Sequence, residues 1–219
     1  MSQALEHPPS LPTVGVVELS QWADFQTRRD RKYLVPRSAL DELVAALPPS
    51  RALSIDGVTS FRYESVYFDT DELTSYAAAA KRRPRRFKVR TRTYLRSEQS
   101  MLEVKVRDPR GQTVKHRAPH PFDRRAELTA EAEAFLRTIP AVTTPARDLQ
   151  AALVTTYRRS TFMLEDRQAR ITVDTDLRWA MMTAKRSRCR RSPSSRPRPP
   201  VGRAATTEFC GGEGSGPRR

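Results

Sequence analysis

Three segments in the middle of the chain carry a charged or polar residue at every second position, and nearly all the charges are basic. Residues 88–92 read Lys88-Val89-Arg90-Thr91-Arg92. Residues 101–107 set Glu103, Lys105 and Arg107 against Leu102, Val104 and Val106. Residues 113–117 align Thr113, Lys115 and Arg117. Side chains alternate faces along a strand, so each segment joins an apolar face to a cationic one. Neighbouring strands would merge these rows into a basic sheet surface holding one carboxylate. Such a surface suits a polyanion, phosphate foremost.

At 219 residues the chain has room for one sizeable domain, or one domain and a tail. Its formal charge of +15 is unevenly spread: Thr183 to Arg219 holds ten Lys/Arg and two acids, leaving +7 for residues 1–182. Both cysteines, Cys189 and Cys210, lie in that tail, so the body has neither a disulfide nor a thiolate metal site. The first thirty residues lack a cationic start followed by an apolar run, and no stretch has the apolar length of a membrane span. The expected location is the cytoplasm.

Residues 1–24 form a loose lead-in, residues 25–182 the domain, and residues 183–219 a disordered basic tail rich in Arg, Pro, Ser and Gly. That tail composition is also what a change of reading frame in a GC-rich gene yields. Reading the coding DNA in the shifted frame near codon 183 tests this. Within the domain, Gln26 to Val35 reads as a strand, followed by a helix that Ser38 can cap, with Leu40, Leu43, Val44 and Leu47 as its apolar stripe. Phe61 to Asp69 is a strand and Asp71 to Ala80 a short helix or ordered connection. Arg85 to Leu95, Met101 to Arg107 and Gln112 to Arg117 are antiparallel strands. Glu127 to Arg137 is an amphipathic helix, and Ala151 to Leu164 with Ala169 to Asp174 forms a last hairpin.

An antiparallel sheet of this kind can stay open, with its basic face in water, or curl into a barrel with that face inside. In the closed form Lys88, Arg90, Arg92, Lys105, Lys115, Arg117, Arg159 and Arg170 are too many to bury unpaired, and a chain of phosphates is the natural compensation. Arg offers forked donors to phosphate oxygens and Lys a mobile point charge. Glu103, Asp30 and Asp174 would then hold a divalent cation, since Mg²⁺ and Mn²⁺ choose carboxylate and phosphate oxygens.

Six segments occur in one order: residues 28–35, Ser65-Val66-Tyr67-Phe68-Asp69-Thr70, residues 88–94, Leu102-Glu103-Val104-Lys105, Tyr157-Arg158-Arg159 and residues 170–175. Together they resemble the vacuolar transporter chaperone (VTC) domain, the polyphosphate polymerase branch of the triphosphate tunnel metalloenzymes, over about residues 25–180. The resemblance implies an α+β fold built on an antiparallel β-barrel, the triphosphate tunnel, with a few flanking helices. It implies ATP and polyphosphate as partners, Mn²⁺ or Mg²⁺ as cofactor, and transfer of a phosphoryl group from ATP to a growing chain. Relatives instead hydrolyse triphosphates or cyclise ATP. By position, Lys32, Arg90, Arg92 and Lys105 would carry catalysis. Arg28, Lys88, Lys115, Arg117, Arg159 and Arg170 would bind substrate, and Glu103, Asp30 and Asp174 the metal.

Two departures stand out. The wider superfamily often opens with two glutamates where this chain has Arg28 and Asp30, a change that favours the VTC branch. The family also ends with a strand bearing Glu-x-Lys, whereas after Trp179 the only acids, Glu208 and Glu213, sit in surroundings that do not read as a strand. The barrel is therefore expected to be incomplete at its C-terminus. Two further readings stay open: a polyphosphate-binding remnant without turnover, and a basic β protein that binds nucleic acid, with the tail adding affinity. His116 reads as structural, Asp69 as a strand-ending turn residue, and Tyr33, Tyr67 and Tyr94 as core or rim aromatics.

Overall fold

Alternation along the strands sorts side chains between a packed face and a charged one, and the computed structural model shows this residue by residue. It describes residues 11–19, 29–107, 111–165, 169–182 and 205–211. The strands are β1 (Thr13–Val14), β2 (Arg29–Val35), β3 (Ser50–Leu53), β4 (Ser60–Asp69), β5 (Phe87–Tyr94), β6 (Gln99–Arg107), β7 (Thr113–His120), β8 (Gln150–Leu164), β9 (Ala169–Met181) and β10 (Ala205–Gly211). Three helices lying wholly within the described residues are α1 (Leu40–Ala45), α2 (Thr74–Ala80) and α3 (Ala130–Arg137). The chain divides into two compact units, residues 1–62, 157–177 and 201–219 in the first, residues 63–156 and 178–200 in the second.

In the second unit the strands β4, β5, β6 and β7 pair antiparallel in that order. Phe87, Val89, Thr91 and Thr93 on β5 and Leu102, Val104 and Val106 on β6 are buried on one face. The apolar members among them pack with Val66, Phe68 and the Ala132 and Leu136 side chains of α3 into one core. Burying such side chains contributes roughly 1.5–3 kcal/mol each. The sequence places the start of α3 at Glu127; it begins at Ala130 because Thr129 accepts the Ala132 N–H through its hydroxyl and so ends the preceding turn. Strand β7 runs on through Pro119, beyond the expected Arg117, which is tolerated because β7 ends the strand order and needs no donor on its outer side.

The first unit joins β2, β10, β9 and the Tyr157–Leu164 part of β8, with β3 pairing β8 and β1 pairing β3 in parallel. Its core is Leu40 and Val44 of α1 packed with Ala52, Phe162, Leu164, Ala169, Ile171 and Val173. Ser38 does not cap α1: a 3-10 turn over Arg37–Ala39 leads into the helix, and no side chain caps it. Strand β9 continues to Met181, past the expected Asp174, with Asp176 at a positive φ of 53°. Aspartate accepts the left-handed conformation more readily than most residues. The residues after Met182, expected to hold no strand, contribute β10, which lies between β2 and β9 with Glu208 opposite Lys32 and Thr172. Among the described residues no helix is long and apolar enough to cross a membrane.

Asp69 does more than end a strand. It is 5% exposed, and its carboxylate accepts the backbone N–H groups of Thr70 (2.9 Å), Ser75 (2.8 Å) and Tyr76 (2.8 Å). Helix α2 starts after Leu73, which is left-handed at φ 54° and offers no cap, so Asp69 supplies the missing acceptor. Asp69→Ala is expected to cost about 2 kcal/mol, the price of stranded buried donors, as read by urea denaturation. An unchanged midpoint would mean that water replaces the carboxylate.

Candidate functional site

The registers of β5, β6 and β7 stack the alternating charges into transverse rows. Lys88 lies opposite Lys105, and Lys105 opposite Lys115. One step along the sheet, Arg90 lies opposite Glu103, and Glu103 opposite Arg117. One further step brings Arg92, opposite Met101 on β6 and Ser65 on β4. Six cations thus share a face with one carboxylate.

Glu103 is 1% exposed and holds three of these cations. Its Oε2 accepts from Arg90 Nη2 at 2.6 Å and Nε at 2.9 Å. Its Oε1 is 2.7 Å from Lys115 Nζ and 3.1 Å from Arg117 Nε. Burial alone would push the Glu103 carboxyl up, but Arg90, Arg92 and Lys115 outweigh it and hold it far below the usual carboxylate range. Arg90 is opposed by burial too, yet Tyr67 and Glu103 raise it further above its ordinary value. A buried charge is tolerated only with such pairing.

Tyr67, expected as a core or rim aromatic, is half-buried and joins this cluster. Its hydroxyl accepts from Arg90 Nη1 at 3.0 Å, and the guanidinium also lies 5.7 Å from its ring centroid. Burial raises the phenol, but Arg90, then Arg92 and Lys88, bring it below its ordinary value. Arg92 lies over the Tyr63 ring at 5.3 Å. The signal was present in Tyr63-x-Ser65-x-Tyr67, which alternation places on one face of β4 beside β5. Behind β5, the Thr91 hydroxyl donates to the Arg125 carbonyl at 2.6 Å, and Arg125 pairs with Glu64 at 2.7 Å, so the strand is braced from its other side.

Lys115 is the adjustable member of the cluster. Burial lowers it, Glu103 raises it, and Arg117 and Arg92 lower it again, to a net value of about 8. An anion bound to this face would gain its charge below that value and lose it above. The affinity for tripolyphosphate is therefore expected to fall by up to tenfold per pH unit above about 8. Lys115→Arg should flatten that profile between pH 7 and 9, and a profile identical to wild type would assign the titration elsewhere.

In the first unit, Arg159 makes a forked pair with Asp174, Nε to Oδ1 at 2.6 Å and Nη2 to Oδ2 at 2.7 Å, and lies 5.2 Å from the Tyr157 ring centroid. Arg37 pairs with Asp176 at 2.7 Å. Arg170 is half-buried on β9, and Lys32 is exposed on β2. Asp30 lies on β2 opposite Cys210. Arg28 lies outside the described residues. Of the expected site residues, the structure thus gathers Arg90, Lys115 and Arg117 around the Glu103 carboxylate, places Lys88, Lys105 and Arg92 on the same face, and pairs Arg159 with Asp174.

Two of the expected metal ligands, Glu103 and Asp174, fit a metal poorly as they stand, and the Asp30 side chain lies outside the described residues. Among the described residues no three His, Cys, Asp or Glu side chains come together as a metal site. Both oxygens of Glu103 are occupied by cations, and both oxygens of Asp174 face Arg159.

The VTC domain model matches residues 27–201, most of the chain. This protein belongs to the VTC domain family. No curated protein matches it. A Bacillus halodurans protein assigned as an adenylate cyclase is similar in structure, with TM-score 0.52 and 13% identity, over 86% of this chain and 82% of that one. A Hippeastrum protein assigned as an adenylyl cyclase, described with a dominant triphosphatase activity, has TM-score 0.52 and 14% identity over 84% of this chain and 78% of that one. At such identities the likeness concerns the fold: mostly β with few helices, the triphosphate tunnel class that the VTC resemblance implies.

Proposed function

We propose that this VTC domain binds ATP and polyphosphate on its cationic face and passes phosphoryl groups between them. The observation that carries the reading is the Glu103-centred cluster, in which one buried carboxylate holds Arg90, Lys115 and Arg117 in place while the face keeps a large surplus of positive charge. Phosphoryl transfer asks little covalent chemistry of a protein. Neutralising charge on the phosphate oxygens and aligning donor and acceptor oxygens supply most of the rate.

In this reading Arg90 uses three donor positions on Glu103 and Tyr67, which fixes the plane of its guanidinium. Its remaining N–H groups, with Arg92, Lys105 and Lys88, meet phosphate oxygens. Lys32, Arg159, Arg170 and Arg28 act as further substrate contacts. Mn²⁺ or Mg²⁺ is the cofactor the family implies. The described carboxylates do not form a site for it, so no step is assigned to the ion.

That same engagement of Glu103 and Asp174 favours a second reading, a polyphosphate binder without turnover. Incubating purified protein with ATP and Mn²⁺, then measuring polyphosphate and released phosphate, separates the two. Turnover that is lost in Arg90→Ala supports the transferase. Tight polyphosphate binding without turnover supports the binder, and absence of both removes the phosphate reading altogether.

A further inference from the structure

One strongly charged segment lies outside the cluster described above. Between Glu72 and Glu98 the sequence has nine Lys/Arg and no acid, and five of the nine fall in the six residues Lys81-Arg82-Arg83-Pro84-Arg85-Arg86. This stretch is the loop joining α2 to β5, and Lys81, Arg82, Arg83 and Arg85 are all exposed. Their charges are not consumed locally: among the described residues, no carboxylate pairs with any of these four. Like charges this dense repel one another, which is a standing cost unless an anion relieves it.

The loop also continues the charged rows. Arg86 accepts the backbone N–H of Arg107 at 3.0 Å, so the β5–β6 pairing runs one residue beyond Phe87 and sets Arg86 against Arg107. Next along the sheet come Lys88, Lys105 and Lys115, then Arg90, Glu103 and Arg117. Cationic rows therefore run without interruption from Arg92 to the loop. Arg86 Nη1 donates to the Arg83 carbonyl, which folds the loop's end back on itself and gives it a defined shape. A short anion would be satisfied by the inner rows alone. A linear polyanion longer than those rows would extend past Lys88 onto the loop.

We infer that the Lys81–Arg86 loop is an outer binding site for the overhanging part of a long polyphosphate chain whose end sits on the Arg90 rows. This rests on the reading under Proposed function and adds to it a determinant of chain length and retention. A long multiply charged chain gains from every further contact, whereas tripolyphosphate gains nothing from the loop.

The test compares tripolyphosphate with a long polyphosphate chain by titration calorimetry at several salt concentrations. The variant is Lys81→Gln/Arg83→Gln/Arg85→Gln. Arg82 is left alone because its positive φ of 50° makes any replacement a backbone change as well, and Arg86 because it ends the strand pairing. Expected is a loss of about tenfold or more for the long chain, unchanged tripolyphosphate affinity, and a log K against log salt slope shallower by about 2 for three lost contacts. Long-chain binding equal to wild type overturns the inference, as does an equal loss for both ligands. A single-stranded oligoribonucleotide that binds tighter than polyphosphate and depends on the same three residues also overturns it, in favour of RNA. If wild type binds neither phosphate ligand, the reading under Proposed function falls as well. If wild type binds tripolyphosphate and only the loop effect is missing, that reading stands and the inference alone fails.

Discussion

Glu103→Ala is expected to destabilise the protein by about 3–5 kcal/mol, the largest single effect among its charged residues. The carboxylate is buried, and removing it leaves Arg90, whose side chain is 12% exposed, without its main counter-charge. Lys115 and Arg117 are more exposed, at 30% and 48%, and can swing towards water, so most of the cost falls on Arg90. Chemical denaturation measures the loss. Glu103→Gln keeps the shape and one acceptor, and should cost less than the alanine variant. A loss below about 1 kcal/mol for Glu103→Ala would mean that the cluster is worth no more than a surface ion pair.

The same residue sets a pH dependence. The folded protein holds the Glu103 carboxyl below its unfolded value, so its contribution is present in full above the ordinary carboxylate pKa. It is lost as pH falls through that value towards the folded one. Wild type should therefore lose stability steeply below about pH 4, and Glu103→Gln more gently over the same window. Parallel acid-melting curves would remove Glu103 from the account.

Under the proposed transferase reading, Arg90→Ala is expected to lower phosphoryl transfer by about 10²–10³-fold, the scale of losing one donor aimed at developing charge. Arg90 also restrains Glu103 and Tyr67, so a drop in activity alone would not separate contact with substrate from support of the site. Arg90→Lys separates them. A lysine keeps the charge but cannot reach the Glu103 carboxylate and the Tyr67 hydroxyl in one plane, so charge is retained and geometry lost. If Arg90 touches substrate, Arg90→Lys should recover tripolyphosphate affinity to within about tenfold of wild type and leave transfer depressed. Tyr67→Phe should lower kcat with little change in tripolyphosphate affinity, because it removes only the hydroxyl that orients Arg90. An Arg90→Ala enzyme with wild-type turnover would end the case for this cluster as the reacting centre.

Several elements were legible in the chain before any fold was known. The alternation in residues 88–92 and 101–107 holds to the residue, since Phe87, Val89, Leu102, Val104 and Val106 are buried and the basic partners face the other way. The isolation of Glu103 among cations was visible for the same reason. Other elements were not. Strand β3 is four residues long behind Pro48-Pro49, and its Arg51 conceals the pattern. Strand β10 sits in a stretch whose composition argues against any strand, and only its partners β2 and β9 on either side account for it. Asp69 resembled a turn residue because its three N–H donors come from one, six and seven residues onward.

What the sequence determined alone is which side chains share a face, because the period of a strand is local and survives in any sheet. Which strands become neighbours, and in what register, is decided by long-range closure that no local pattern encodes. Only the tertiary structure places Arg90 and Arg117 on opposite flanks of Glu103, and only there does Tyr67, 23 residues from Arg90 in the chain, meet its guanidinium. A single carboxylate among many cations was readable as composition. That it is buried, and that it organises three of them, follows from packing.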